Sequence, residues 1–457
     1  MSGADLVGWG NNGGAVGKLL LAGERGLPAA ITGANERGVI MRGLGRSYGD
    51  SAQNSGGRTV RLQSDPASIT IDAESHSVTC GAGVSVDELL DVIVPQGYFV
   101  PVTAGTRFIT IGGAIASDIH GKNHHRDGSF GSHVTNIELM LGDGSVVHVG
   151  PESGPGNDHD LFWATVGGMG LTGAMLAATF SVIPIETSLM SVHTHRVGDL
   201  DELMSLMAAS DDGVRYSVAW IDLLAKGAKL GRGVLTNGEH ARLDQLTSKH
   251  AARPLAYAER VAATLPPLVP SPGVINRLSV AAFNELWFRK APLVRYDELQ
   301  TIAAYFHPLD MVGRWNRLYG RRGLLQYQFV VPYGAEDTLR RVMERISAAS
   351  LPSFLTVLKR FGPGNPAPLS FPTPGWTLAI DVPAAHSQLP SVLVELDAMV
   401  LEAGGRHYLA KDFHTSPAAI RRGYPRLAEW QAIQRRVDPQ RRWTSDQSRR
   451  LQLVDPS

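Results

Sequence analysis

Apolar and polar residues alternate along several short segments in the first third of the chain, a pattern typical of strands with one buried face. These segments are residues 60–62, 69–72 and 77–80. The period changes to that of a helix over residues 85–93, where one apolar stripe is formed by Leu89, Leu90 and Ile93. Ser85 and Glu88 have the spacing of a capping box, so we expect this helix to begin directly after Ser85.

The dipeptide Asp143-Gly144 separates two further apolar segments, residues 137–141 and 146–149. An Asp-Gly pair readily adopts the backbone conformation of a tight turn, so the two segments are predicted to form a β-hairpin. The repeated switch between strand and helix periods predicts an α+β fold.

The character of the chain changes near Pro184 and again near Gly404. Glycine clusters stop at the first point, aromatic and amphipathic stretches follow, and a compact tail begins at the second. A chain of 457 residues is also too long for one ordinary core. We predict a first domain over residues 1–187, a second over 188–405, and a C-terminal segment over 406–457 that docks onto the first domain.

Two stretches of the second domain, residues 251–278 and 290–305, mix apolar residues with proline or basic side chains and show little periodicity. Such segments are found as mobile loops over binding sites. An ordinary irregular surface connection fits the same pattern equally well, and both interpretations stay open.

The composition is that of a globular protein, with 43% hydrophobic and 19% charged residues. The 43 basic and 43 acidic side chains give no net charge, which argues against non-specific binding of nucleic acid. The single cysteine, Cys80, excludes an intramolecular disulfide and a cysteine-based metal cluster. It lies in one of the alternating segments and is predicted to be a buried strand residue.

The N-terminal residues lack the pattern of a signal peptide, and no apolar run reaches the roughly 18 residues that span a bilayer. We therefore expect synthesis and folding in the cytoplasm. Peripheral contact with a membrane surface remains compatible with this pattern.

Glycine-rich segments are the strongest chemical signal. Residues 43–50 and 111–125 alternate glycine with small polar residues, and a third cluster follows at residues 161–173. Backbone N–H groups in such segments can approach a diphosphate closely because no Cβ atom blocks them. Two ordinary turn loops are the simpler alternative.

Lys122, His124 and His125 resemble a metal-binding triplet. Zinc needs ligands that converge on one point, whereas adjacent histidines on a strand point in opposite directions. We therefore predict no metal site there.

The order of these motifs resembles the vanillyl-alcohol-oxidase type of flavoproteins, and within it the branch that oxidises a polyprenyl-phosphate ribose. The resemblance extends over nearly the whole chain, and its most specific segments lie outside the glycine clusters. These are residues 307–311, 315–320, 325–329, 361–372 and 410–412. It implies a two-domain, PCMH-type FAD-binding fold with an antiparallel-sheet substrate domain.

The resemblance also implies which residues hold FAD. They are Met41, Arg42, Gly43, Leu44, Gly45, Arg46, Ser47, Tyr48, Gly49, Asp50, Ser51, Gly105, Thr110, Ile111, Gly112, Gly113, Ser117, Asp118, Ile119, His120, Met175 and Tyr408. Related enzymes that bind flavin covalently carry histidine where this chain has Tyr48. Since Tyr48 has no imidazole nitrogen for such a bond, non-covalent FAD is expected.

Three residues are the implied catalytic set. Lys411 is the expected cation beside the flavin, because an ammonium group would stabilise negative charge that develops during oxidation. His120 is the candidate for a general base or a hydrogen-bonding group, with the two roles left open. Tyr48 is expected to pack or hydrogen-bond against the flavin or substrate.

Gln326 and Gln328 would share one face of a strand, with Tyr327 opposite, and suit the hydroxyl groups of a sugar ring. Lys359 and Arg317 are the candidates for binding a phosphate group. Trp220 is the expected apolar wall, and the remaining candidates are Lys122, Thr377 and Ala379. In the family, asparagine is common at the position of Thr377. A cysteine modified by nitroaromatic inhibitors often takes the place of Ala379, so turnover without covalent inhibition is expected here.

The implied reaction is FAD-dependent oxidation of the C2 hydroxyl of a polyprenyl-phosphate ribose. It is the first half of an epimerisation that supplies arabinose for the cell wall, and an NADH-dependent keto-reductase is the expected partner. A peripheral position at the inner membrane is expected, with the periplasmic face left open. The alternatives are an alditol or aldonolactone oxidase and a non-catalytic binding protein.

Overall fold

The computed structural model describes residues 4–152, 157–210, 213–258, 261–266 and 273–454. The first part of the chain contains eleven strands and five α-helices within this described region. The strands are β1 (Ala4–Val7), β2 (Gly14–Ala22), β3 (Val39–Met41), β4 (Arg58–Leu62), β5 (Thr70–Asp72), β6 (Ser77–Gly81), β7 (Tyr98–Phe99), β8 (Val134–Met140), β9 (Val146–Val149), β10 (Ala174–Ser181) and β11 (Ile183–Pro184). The helices are α1 (Leu27–Thr32), α2 (Val86–Ile93), α3 (Ile111–Ala116), α4 (His124–Asp127) and α5 (Asn157–Thr165).

Two main sheets form this first part. A four-stranded sheet has the order β1-β2-β4-β3, in which β2, β4 and β3 run parallel. A five-stranded antiparallel sheet has the order β5-β6-β10-β8-β9. Helices α1, α2 and α3 supply apolar side chains to the core that these sheets share. This confirms the predicted α+β class.

The local predictions for this region are confirmed. Ser85 caps α2 by accepting a hydrogen bond from the Glu88 amide, and the Glu88 carboxylate accepts from the Ser85 amide, which completes the capping box. Strands β8 and β9 pair antiparallel across the turn that holds Asp143 and Gly144. The side chain of Cys80 is fully buried in β6.

The second part of the chain is built on an eight-stranded antiparallel sheet. The strands of this second part, including two outside the large sheet, are β12 (Leu189–Val197), β13 (Tyr216–Ile221), β14 (Gly233–His240), β15 (Ala263–Thr264), β16 (Val294–Thr301), β17 (Val312–Gly313), β18 (Leu324–Pro332), β19 (Thr356–Phe361) and β20 (Gly375–Pro383). Its helices are α6 (Leu200–Ser210), α7 (Ser248–Ala251), α8 (Arg277–Lys290), α9 (Ile302–Phe306), α10 (Glu336–Ala348) and α11 (Leu389–Glu402). The short strand β21 (Arg406–His407) completes the order β16-β12-β14-β13-β19-β20-β18-β21, whereas β15 and β17 form a separate pair. Helices α6, α10 and α11 cover one face of the large sheet and form its core.

The last helices, α12 (Pro417–Gly423), α13 (Leu427–Val437) and α14 (Asp446–Arg450), pack against the first part of the chain. The indole of Trp430 donates a 2.8 Å hydrogen bond to the Ala164 carbonyl. Arg450 pairs with Asp50 at 2.8 Å and also binds Asp412. The domain limits after residues 187 and 405 stay predictions.

The interpretation of residues 290–305 as a mobile loop or irregular connection is wrong. These residues form β16, which pairs with β12 along the edge of the large sheet, and α9. The side chains of β16 are exposed or half-buried on both faces, so the strand shows no apolar alternation. For residues 251–278 the prediction lies partly outside the described residues, at 259–260 and 267–272.

Across the described ranges, no helix has both the length and the apolar run that crossing a bilayer requires.

Candidate functional site

A cavity of about 720 Å³ lies between the glycine segments and the uncovered face of the eight-stranded sheet. The first part of the chain supplies residues 41–48 and much of 103–122. The sheet supplies side chains from β13, β14, β18, β19 and β20, and the C-terminal segment adds Tyr408, Ala410 and Lys411. All three predicted regions of the chain therefore contribute to one site.

The two glycine segments touch each other in this cavity. A Cβ atom on Gly43 would lie 2.4 Å from the Thr110 hydroxyl oxygen, so only glycine allows the two backbones to approach this closely. The same hydroxyl caps α3 by accepting a 3.1 Å hydrogen bond from the Gly113 amide. Gly45 has a φ of +68°, a conformation that favours glycine. The two glycine segments, which were predicted to act together, are therefore in direct contact.

Most of the residues predicted to hold FAD line the cavity. They are Met41, Arg42, Gly43, Leu44, Gly45, Arg46, Ser47, Tyr48, Ser51, Gly105, Thr110, Gly112, Gly113, Ser117, Ile119, His120, Met175 and Tyr408.

Four others of that set lie behind the lining. Gly49 packs against the backbone of Asp412, Asp50 pairs with Arg450, and the Ile111 side chain is fully buried in the core. Asp118 accepts hydrogen bonds from Ser129, Asn365, Ser370 and the Gly131 amide. These residues hold the loops in place instead of facing the cavity.

The lining is strongly cationic. Among the described residues, its charged side chains are Arg42, Arg46, Lys122, Lys290, Arg295, Lys359 and Lys411 against the single carboxylate of Glu298. The guanidinium of Arg46 stacks 3.9 Å from the ring centroid of Trp9, and burial lowers its pKa only to about 10. Arg46 therefore stays charged at neutral pH, and the cavity suits an anionic ligand.

His120 and Gln328 form a hydrogen-bonded pair at the cavity wall. Gln328 Nε2 donates to His120 Nε2 at 2.9 Å, which places the imidazole proton on Nδ1. Burial, with the positive charges of Lys359 and Lys411, holds the pKa of His120 well below its usual value. The neutral ring leaves Nδ1 buried with no partner among the described residues.

Tyr48, Gln326, Asp381 and Lys411 form a second polar group. The ammonium of Lys411 lies 4.1 Å from the ring centroid of Tyr48, whose hydroxyl is 3.5 Å from Asp381 Oδ2. The amide of Gln326 donates to the other oxygen of Asp381. Burial lowers the pKa of Lys411 to about 8, and the charge of Asp381 opposes that decrease.

Lys122 and Lys359 line the cavity as half-buried cations. The ammonium of Lys122 donates a 2.6 Å hydrogen bond to the Tyr305 carbonyl, whereas Lys359 makes no hydrogen bond to the described residues. Burial lowers the pKa of each lysine to about 7. Lys411 lowers the pKa of Lys359 further, so both ammonium groups would gain from an anion between them.

The other predicted substrate residues divide into three groups. Trp220 and Ala379 line the cavity, and the Trp220 indole is fixed by a 2.9 Å hydrogen bond to the Phe354 carbonyl. Thr377 is buried and accepts a 3.4 Å hydrogen bond from Gln328, so it orients that amide from behind. The guanidinium of Arg317 is bound to the Leu265 carbonyl and does not line the cavity.

The histidines of the apparent metal triplet lie on a helix, so the strand argument used against zinc was wrong. His124 begins α4, with its ring centroid 4.5 Å from that of Phe361, and His125 bonds to the Val214 carbonyl at 3.0 Å. Within the described ranges, no group of three potential metal ligands converges.

Sequence reasoning missed Asp381 and Trp9. Asp381 is two residues beyond Ala379 and four beyond Thr377, so the strand alternation that grouped those two would have included it. Trp9 stands next to glycine at both sides, and no local pattern connects it with Arg46.

Comparisons with known proteins agree with this geometry. Residues 24–150 match the FAD binding domain family, and residues 336–451 match the D-arabinono-1,4-lactone oxidase family. The chain is 45% identical to decaprenylphosphoryl-β-D-ribose oxidase of Mycolicibacterium smegmatis, over 98% of this chain and 97% of that protein. It is 38% identical to an uncharacterised protein of Streptomyces coelicolor over 81% of this chain and all of that protein. An alditol oxidase of a Streptomyces species is 26% identical over 91% of each chain.

The protein is an FAD-dependent oxidoreductase acting on CH–OH groups, with the two-domain fold of the vanillyl-alcohol-oxidase type. Within this class, the chain belongs to the decaprenylphosphoryl-β-D-ribose oxidase family.

The residues of the cavity fit FAD. Its diphosphate is a dianion, and the glycine segments offer backbone N–H groups with no side chains in the way, beside the charged Arg46. The Nε atom of Arg46 and Nδ1 of His120 are buried without a partner in the described protein, as expected of groups that face a polar ligand. When bound, FAD supplies an acceptor for the hydride that leaves a substrate carbon.

Proposed function

We propose that this protein oxidises the C2 hydroxyl of decaprenylphosphoryl-β-D-ribose to the 2-keto sugar. The observation that carries the substrate is the placement of Lys359 and Lys122 in the same cavity as Gln326 and Gln328. Two cations suit a phosphate, and two amides on one strand face suit the hydroxyl groups of a sugar ring. The name of the M. smegmatis relative points to the same substrate.

Each polar group in the cavity has a role in this proposal. Gln326 and Gln328 orient the ribose ring through hydrogen bonds. His120, kept neutral by burial, donates a hydrogen bond from Nδ1; as a base it would receive the hydroxyl proton on Nε2, once Gln328 had released that atom. Lys411 stabilises the negative charge that develops as the bond to hydrogen breaks. Tyr48 packs against Lys411, and the absence of histidine at its position leads us to propose that FAD is bound non-covalently.

Anaerobic reduction of the bound flavin tests the substrate. We expect polyprenyl-phosphate ribose to bleach the flavin absorbance in a single turnover, with the 2-keto sugar as product. Bleaching by a short alditol but not by the prenyl-phosphate sugar would contradict the proposal and would favour the alditol oxidase alternative. A purified protein without flavin absorbance would favour a binding protein.

Substitution of Lys359 by methionine is expected to weaken substrate binding. The variant keeps the side-chain volume but loses a charge-assisted bond to phosphate, so the KM should rise by about 10–100-fold. The rate of flavin reduction at saturating substrate should change much less. Steady-state kinetics with the prenyl-phosphate sugar measure both quantities.

The matched control is Arg317→Met, which removes a cation outside the cavity lining and should leave KM unchanged. The pH dependence is a further check. Because burial lowers the pKa of Lys359 to about 7, its charge in the free enzyme is lost as the pH rises through 7, and KM should rise with it. This rise should be smaller in Lys359→Met, and equal profiles would contradict the assignment.

We also propose that the cavity entrance rests on a membrane surface. Helix α8 exposes 82% of Leu278 and 70% of Leu286, and its Trp287 and Lys290 line the cavity. Arg289 lies in the same last turn, so apolar and basic side chains are presented together, as in helices that lie on anionic bilayers. A polyprenyl tail would then leave the cavity directly into lipid.

Vesicle binding tests this surface. Replacing Leu278 and Leu286 together by glutamate should reduce binding to anionic phospholipid vesicles by at least about 10-fold, since burial of each leucine contributes about 1.5–3 kcal/mol. Val394→Glu, at a side chain of α11 that is 71% exposed, is the matched control. Equal sedimentation of all three proteins with vesicles would exclude α8 as the contact.

The 2-keto product needs a reductase to complete an epimerisation to the arabinose sugar. We propose an NADH-dependent keto-reductase as the partner, with the arabinose product used in cell-wall synthesis. Addition of such a reductase should convert the keto sugar to the arabinose epimer in the same vessel.

A further inference from the structure

Asp381 is a buried carboxylate at the edge of the active-site cavity. It lies on β20 directly opposite Gln326 of β18, two residues along the strand from Ala379, which is opposite Gln328. Its side chain is fully inaccessible, and it does not line the cavity itself. Burial raises the pKa of Asp381 to about 7, although Gln326, Lys411 and Tyr48 oppose that rise, because removal of an ion from water is costly. Asp381 is therefore charged in the pH range near 8 where Lys411 titrates.

Its partners connect it with Lys411. Gln326 donates a hydrogen bond to one oxygen, and the Tyr48 hydroxyl is 3.5 Å from the other. The ammonium of Lys411 in turn lies over the ring of Tyr48, 4.1 Å from its centroid. One tyrosine therefore contacts the cation with its ring and the carboxylate with its hydroxyl.

The charges around Lys411 make Asp381 its compensating anion. Lys359 lies on β19, the strand next to that of Asp381, and is a second cation. His120 is neutral. Asp412, next along the chain, is bound by Arg450 and Thr415 and so is already paired. Tyr319, which also faces Asp381, has its pKa raised by burial and by this carboxylate and stays uncharged.

We propose that Asp381 is a positioning residue that keeps Lys411 protonated beside the cavity and fixes the amide of Gln326 for the sugar. This inference rests on the proposed function, because the charge of Lys411 matters only where flavin and substrate react. Burial favours the neutral amine, and Asp381 is the group that opposes it.

Sulfite provides a readout that needs no substrate. It adds reversibly to oxidised flavins, and a cation near the flavin ring strengthens the adduct. In the wild-type holoenzyme, the affinity for sulfite should fall as the pH rises through the pKa of Lys411, about 8. In Asp381→Asn the midpoint should move to lower pH by about one unit, because an opposite charge has been removed.

Asp381→Glu keeps the charge and should restore the midpoint toward the wild-type value. If the asparagine variant is purified without flavin, Asp381→Ser removes the same charge and takes its place in the test. The matched control is Asp397→Asn, which removes a half-buried carboxylate paired with Tyr327 and His407 on the other side of the sheet. This control should leave the pH midpoint of sulfite binding unchanged.

A wild-type midpoint in the variant that lacks the carboxylate, Asp381→Asn or Asp381→Ser, would overturn the proposal. The kinetic readout is separate: Asp381→Asn should raise KM through Gln326 and lower the rate of flavin reduction most strongly above pH 7. If the prenyl-phosphate ribose fails to bleach the wild-type flavin while the sulfite midpoint still shifts, the proposed substrate is wrong and the role of Asp381 stands.

Discussion

Replacement of Lys411 by methionine is expected to slow reduction of the bound flavin by about 100–1000-fold while FAD remains bound. Methionine keeps the length of the side chain but removes the cation that would stabilise negative charge in the transition state, and groups in such roles contribute factors of this size. Anaerobic stopped-flow measurement of the flavin absorbance, with saturating prenyl-phosphate ribose, gives the rate. The large effect is expected because Lys411 lines the cavity that holds the flavin.

The pH dependence of this variant follows from the direction of the shift. Burial lowers the pKa of Lys411 to about 8, so the charged amine is present below that pH and is lost above it. The wild-type rate should therefore decline above pH 8, and the Lys411→Met rate should not show this decline. Lys229→Met, at an exposed lysine, serves as the control. A variant at Lys411 that reduces its flavin at the wild-type rate would remove this residue from the mechanism.

Gly49→Ala is expected to cost both stability and flavin. A Cβ atom at this position would lie 2.0 Å from the backbone carbonyl oxygen of Asp412, a contact that the chain can relieve only by moving one backbone away from the other. Overpacking of this kind costs about 1–3 kcal/mol, which should lower the thermal unfolding midpoint by several degrees. Since Asp412 follows Lys411 directly, FAD should also be retained less well.

Calorimetry and the ratio of flavin to protein absorbance measure these two effects. The control is Gly26→Ala, where the added methyl group would meet nothing within 4 Å and the backbone φ of −89° is open to any residue. We expect this control to keep its flavin and its unfolding midpoint. If Gly49→Ala behaves like Gly26→Ala, the close approach of the two backbones is not needed for the site.

Features with a short period along the chain could be predicted from the sequence. The capping box at Ser85 is complete within four residues, and the alternation of Gln326, Tyr327 and Gln328 places the amides on one face of β18 without any knowledge of the sheet. The edge strand β16 could not be predicted, because its sequence has no such short period. Both of its faces are partly exposed, so burial imposes no alternation on its sequence.

Contacts between distant segments could not be derived from a local pattern. Tyr48 contacts both Asp381 and Lys411, and it is more than three hundred positions away from the carboxylate along the chain. Arg317 has the charge that binding a phosphate requires, but its loop turns it toward the Leu265 carbonyl. Both residues are cationic, but Lys359 lines the cavity and Arg317 does not, so Lys359 alone of the two is placed to bind the phosphate.

The return of the C-terminal segment has a consequence for how the protein is made. Tyr408 and Lys411 line the cavity, and the Tyr48 amide donates to the Ala410 carbonyl at 3.0 Å. Arg450 forms ion pairs with both Asp412 and Asp50. During synthesis the glycine segments therefore leave the ribosome several hundred residues before Tyr408 and Lys411, and for that time they have only part of the wall around them. We expect FAD to be held weakly until the C-terminal segment has docked and closed this wall.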